Sequence, residues 1–173
     1  MTLAFQSVTV LGAGAWGTAL AQVCAAAGRE VRIWAREPEV VRSINAEHQN
    51  TLFLAGLPLN TGIRATGDLV EAAKSELILA APPAQHMRAV LQAIRPSLSA
   101  DPRIVLCAKG VERGSLALMT DVLAAELPHA TPAVLSGPGF AKDVARGLPT
   151  ATTIASPDAA FAQRVVATIG LPT

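Results

Sequence analysis

Residues 1 to 28 carry no charged side chain, and glycines at 12, 14 and 17 interrupt this run directly after SVTVL at 7 to 11. No other feature constrains the fold as much. A burst of strand length, the turn GAGAWG and the helix-forming stretch TALAQVCAAA follow one another without a spare residue. In a GxGxxG turn placed between strand and helix, Gly12 permits a tight turn, Gly14 lets a ligand approach the backbone, and Gly17 lets helix and strand pack closely. The helix that follows presents unpaired N–H groups and the positive end of its dipole to an anion. A glycine turn without a ligand has the same spacing, so the flanking strand and helix carry the inference.

Further apolar bursts recur: EVRIW at 30 to 34, ELILA at 76 to 80, RIVLC at 103 to 107 and PAVL at 132 to 135. Helix-like stretches such as QHMRAVLQAI and LALMTDVLAAEL separate them. Strands that are apolar on both faces, alternating with helices, predict a doubly wound α/β fold with a mainly parallel sheet and helices on both faces. A short strand near Ile63 to Ala65, a short helix after Asp68 and a loop from about Asn50 to Gly62 complete the middle. The tail offers one more strand and a helix with Ser156 as N-cap and Pro157 in its first position.

Composition narrows the function. A formal charge of +1 and 3% aromatic residues give no basic footprint for nucleic acid. Cys24 and Cys107 match neither a zinc nor a CxxC spacing, which suits reduced thiols in a cytosol, and the three histidines stand apart, so no metal site is expected. Glycines and Gln22 break the first apolar run, and no Lys or Arg precedes Arg29, so neither a spanning helix nor a signal peptide is expected.

In a doubly wound sheet, ligands lie beyond the carboxyl ends of the strands. The second strand ends in Arg36 and Glu37, where a guanidinium suits a 2′-phosphate and a carboxylate suits a free ribose hydroxyl. NADP is favoured and NAD stays open, as does a reading of both residues as the solvated start of a helix. AAPPA at 80 to 84 makes a stiff wall, since Pro82 and Pro83 donate no N–H. In SGPGFA, Gly137 and Gly139 expose backbone to a small oxygen-rich substrate, or simply turn the chain. Lys109, in CAKG, stands where an ammonium can face a carbonyl oxygen that gains charge as hydride arrives. The alternative is a lysine whose stem lines the rim, with Glu112 close enough in sequence to pair with it. A proton donor is missing: Lys142 and Asp143 fall on a helix expected to lead away, so that group is expected on a second domain after residue 173.

Taken together, GAGAWGTALA, the WAR strand end, NTLFLAGL, CAKGVE and SGPGFAKDVARGLPTA resemble bacterial NAD(P)-dependent sn-glycerol-3-phosphate dehydrogenase, from about Val8 to Ser156. The resemblance implies a Rossmann-like cofactor domain over residues 1 to 173 and a helical substrate domain beyond it. It also implies a cytoplasmic enzyme that interconverts dihydroxyacetone phosphate and sn-glycerol 3-phosphate for phospholipid synthesis. By that pattern Ala15, Trp16, Arg36, Phe53 and Ala141 touch the nucleotide, Lys109 meets both cofactor and substrate, and Gly137 and Gly139 lie beside the substrate. The proton-transferring lysine, the substrate-phosphate ligands and any homodimer contact fall to the helical domain. Ala15, Phe53 and Gly139 each lack a hydroxyl that the family often has, and Glu37 stands where a second basic residue can occur. A stand-alone dinucleotide sensor and a dehydrogenase of another small hydroxy acid are the alternatives.

Overall fold

The computed structural model describes residues 3 to 171, in which seven strands form one sheet. In chain order, β1 (Ser7–Leu11) leads into α1 (Ala15–Ala26), β2 (Glu30–Trp34) into α2 (Pro38–Glu47), β3 (Arg64–Thr66) into α3 (Leu69–Ala72), and β4 (Leu77–Ala80) into α4 (Ala84–Ile94). Then β5 (Arg103–Leu106) leads into α5 (Met119–Glu126), β6 (Thr131–Ser136) into α6 (Ala141–Ala145), and β7 (Thr153–Ala155) into α7 (Ala159–Ile169). The strand order is β3-β2-β1-β4-β5-β6-β7. Neighbours are parallel except β6 and β7, which run antiparallel. The result is the Rossmann-like, doubly wound sheet that the alternating pattern predicts.

Because side chains alternate along a strand, each inner strand feeds two cores. On one face Val8, Val10, Ile33, Leu79 and Val105 pack under α1, α2 and α7, with Phe161 and Val165 contributed by α7. On the other, Leu11, Ile78, Ile104 and Leu106 meet Met87, Leu91 and Ile94 of α4 and Val122 and Leu123 of α5. Each fully buried Leu or Ile contributes roughly 1.5–3 kcal/mol, so losing either helical layer would unfold the sheet.

Two local expectations are corrected. Ser156 does not cap α7: its hydroxyl donates to Pro132 O at 2.6 Å and accepts from Asp158 N at 3.1 Å. Asp158 is the N-cap, accepting from Phe161 N at 3.0 Å, and Pro157 precedes the helix. The stretch from Leu116 does not start as helix either, since Leu118 bridges back to Val111 and Leu116 takes a φ of 59°. Only from Met119 is the backbone helical.

That returning loop, which carries Lys109 at its start, is held by α4. Gln85 Nε2 donates to Val111 O at 2.9 Å and its Oε1 accepts from Arg113 N at 2.9 Å. Arg88 grips Glu112 through Nε and Nη2, both at 2.8 Å, and reaches Glu126 of α5 through Nη1. Glu112 therefore belongs to Arg88 and not to Lys109. Hydrogen bonds from Arg88, and then from Ser115, pull the Glu112 carboxyl down to about 2. Glu126 is lowered as well, by Arg88 and then Gln92.

A carboxylate with a depressed folded-state pKa stabilises above its ordinary value, and that stabilisation is lost as pH falls through the folded pKa. The urea midpoint should fall as pH drops from 4.5 towards about 2, and Arg88→Met should flatten that decline while lowering stability at neutral pH. Parallel curves for the two proteins would remove the network from the acid response. At the β1–α1 junction, a Cβ on Gly17 would overlap Gly12 O and come within 3.3 Å of Val10 Cγ1. Gly17→Ala should cost about 1–3 kcal/mol in denaturant titration, because α1 must lift off the strand.

Candidate functional site

The strand order reverses between β1 and β4: β2 and β3 extend one side of β1, and β4 onwards the other. A crevice at the carboxyl ends of the strands opens at this point in such folds. Gly12 turns the chain with a φ of 100°, its N–H donates to Trp34 O at 3.0 Å, and a Cβ there would lie 3.0 Å from Pro82 N. The AAPPA wall therefore packs directly on the glycine turn. A Cβ on Gly14 would meet nothing within 4 Å. Gly14 is the N-cap of α1, where no side chain caps the helix and no acidic residue occupies the first turn. Such an end, with uncapped N–H groups and a positive dipole, favours an anion.

Ala15, Trp16 and Ala141 pack around one small cluster that includes Ala19, Leu54 and Val144. The start of α1, the segment bearing Phe53 and the short helix α6 are thereby gathered at one place. Lys142 and Asp143 sit on α6 itself, beside α1. Phe53 leaves 41% of its surface exposed, and the buried Trp16 Nε1 has no hydrogen-bond partner among the described residues. Asn50, at the start of the loop expected from about Asn50 to Gly62, is buried between this segment and the glycine turn. At the end of β2, Arg36 donates through Nε and Nη2 to Glu37 Oε1 at 3.1 and 2.9 Å.

Lys109 follows β5 and donates from Nζ to Ser136 Oγ, 2.8 Å away at the end of β6. Ser136 opens the SGPGFA stretch, where no local pattern marks it as a partner for the lysine; the adjacency of β5 and β6 is what brings it there. Gly137 and Gly139 abut the segment returning from α6. A Cβ on Gly137 would lie 2.8 Å from Ala151 O, and one on Gly139 would overlap the Thr150 side chain. Close packing is thus a reason for both glycines, against backbone at Gly137 and against the Thr150 and Val144 side chains at Gly139.

Burial pushes the Cys24 thiol up to about 12 and raises Cys107 as well, which disfavours the reactive thiolate at both. Among the described residues no cluster of three His, Cys, Asp or Glu could hold a metal, and no helix is long and apolar enough to cross a membrane.

Comparison with known proteins agrees with this geometry. Residues 7–162 match the family model described as NAD-dependent glycerol-3-phosphate dehydrogenase N-terminus. The glycerol-3-phosphate dehydrogenase [NAD(P)+] of Parvibaculum lavamentivorans is 55% identical over the whole chain, which covers 52% of that protein. The enzyme of the same name from Caulobacter vibrioides is 54% identical over 99% of the chain, again 52% of its own length. The crystal structure of glycerol-3-phosphate dehydrogenase from Coxiella burnetii superimposes with a TM-score of 0.91 at 34% identity, covering 97% of this chain and 52% of that one. The chain thus spans about half the length of the relatives it matches. With a family model covering nearly all of its elements and relatives above half identity, the chain belongs to the NAD-dependent glycerol-3-phosphate dehydrogenase family, as its N-terminal, NAD-binding domain.

Proposed function

We propose that the chain is the cofactor-binding part of an enzyme that reduces dihydroxyacetone phosphate to sn-glycerol 3-phosphate with NADPH or NADH, in the cytoplasm, supplying glycerophospholipid synthesis. The observation that carries this reading is the uncapped start of α1, facing open space at Gly14 where the strand order reverses. The residues fit a dinucleotide: Gly12, Gly14, Ala15, Trp16 and Gly17 would receive its pyrophosphate, Phe53 and Ala141 would flank it, and Arg36 and Glu37 would meet the adenosine ribose. The nicotinamide, when bound, supplies the hydride.

This chain's own contribution to the chemistry is charge placement. In this reading Lys109 binds both cofactor and substrate, and its ammonium, oriented by Ser136, faces the carbonyl oxygen that becomes negative. Gly137 and Gly139 line the substrate's side. A proton must also reach that oxygen, and the donor is assigned to a lysine of a helical domain beyond residue 173, which also holds the substrate phosphate and any homodimer contact. The chain alone then binds cofactor without measurable turnover.

Calorimetric titration of this chain should show binding of NADPH or NADH, and no heat at millimolar cofactor from a folded sample would defeat the reading. In the complete enzyme, Lys109→Ala should lower kcat with dihydroxyacetone phosphate by about 10²–10³-fold, the loss expected for one electrostatic group at a developing oxyanion. An unaltered rate would remove the residue from catalysis. Glu37→Gln weakens the hold on Arg36 and removes a charge that repels a 2′-phosphate, so NADPH affinity should rise about three- to tenfold relative to NADH. No change in that ratio would place the ion pair outside the ribose site.

A further inference from the structure

Asn50 is wholly buried at 0% exposure, opening the segment that carries Phe53. A buried amide must find partners for two N–H donors and an oxygen. Its Nδ2 donates to Ala13 O and to Thr18 Oγ1, both at 2.8 Å. Thr18 Oγ1 in turn donates a hydrogen bond to the same Ala13 O at 3.3 Å. Asn50 Oδ1 accepts from Phe53 N at 3.0 Å, and Asn50 O accepts from Leu54 N at 2.9 Å. Every polar group of Asn50 except its own N–H is thus engaged, and each bond runs either to the glycine turn and its helix or to the aromatic segment.

The carbonyl at the centre of this network has a partner across its peptide bond. A trans peptide is planar, with C=O and N–H pointing in opposite directions, and the described chain has no cis bonds. Two donors drawing Ala13 O into the protein therefore turn Gly14 N–H outward, at the residue whose surroundings are open. Without them the Ala13–Gly14 peptide is free to rotate, because glycine opposes rotation least.

Building on the cofactor reading above, we propose that Asn50, acting with Thr18, is a positioning residue: it fixes the Gly14 N–H for a pyrophosphate and ties the Phe53 segment to that setting. Neither side chain touches the ligand. The role differs from general scaffolding because both groups it sets, the Ala13–Gly14 peptide plane and the Phe53 segment, lie at the pyrophosphate in this reading. Its loss therefore weakens ligands that carry a pyrophosphate and spares those that share only the nucleoside.

The test titrates this chain and its variants with NADPH, with NADH in parallel, and with adenosine followed by amide chemical shifts. Thr18→Val, which keeps the shape and removes the hydroxyl, and Asn50→Ala should each weaken the tighter dinucleotide about tenfold, the worth of one lost hydrogen bond to an anion. Thr18→Ser, which retains the donor, should bind as the parent does. Adenosine affinity should not change, and the downfield shift of the Gly14 amide on dinucleotide addition should shrink in Thr18→Val. Unchanged dinucleotide affinity in Thr18→Val and Asn50→Ala, or equal losses for dinucleotide and adenosine, would overturn the proposal. If Asn50→Ala fails to fold, Thr18→Val and Thr18→Ser decide alone. A parent chain that binds neither dinucleotide would instead overturn the cofactor reading on which the proposal stands.

Discussion

The distance between α1 and β1 governs the rest of this molecule. Gly17 has no Cβ, and the Gly12 carbonyl occupies the place where one would be. Helix and strand can approach only because of that omission, and their approach shapes the turn between them. The turn then leans on Ala81 and Pro82, so the next wall of the crevice takes its position from the same contact. One missing side chain thus registers an adjoining strand and helix against a wall far along the chain.

From that junction outwards, charge is distributed with little waste. The basic groups near the strand ends divide by partner: Arg36 is held by Glu37, Arg88 by Glu112 and Glu126, and Lys109 by a neutral hydroxyl. Of these, only the lysine keeps its charge uncompensated by a carboxylate in direct contact. An ammonium in that condition keeps its full field for a third party, whereas a guanidinium locked to two carboxylates serves mainly to anchor loops.

Features encoded by adjacent residues could be read before the structure was known. SVTVL, GAGAWG and TALAQVCAAA lie end to end, so strand, turn and helix followed from local rules, and the bounds of β1 and β2 coincide with their apolar bursts. Features made by tertiary contact were silent. Glu112 pairs across 24 residues with Arg88, and Ser136 meets Lys109 across 27. Asn50 opens a stretch without periodicity, and its partners at 13 and 18 lie across the fold. Capping failed for a subtler reason: Ser156 and Asp158 both suit an N-cap, and Ser156 was diverted by the carbonyl of Pro132 on the neighbouring strand.

Both margins of the sheet end in strands of three residues, β3 on one side and β7 on the other. So short a border offers few unsatisfied amides and carbonyls, and therefore little template for a foreign strand to join. The reversed direction of β7 also ends the parallel run. Resistance to edge-wise aggregation is thus written into the outermost strands of a sheet whose interior strands, exposed, would be among the stickiest segments of the chain.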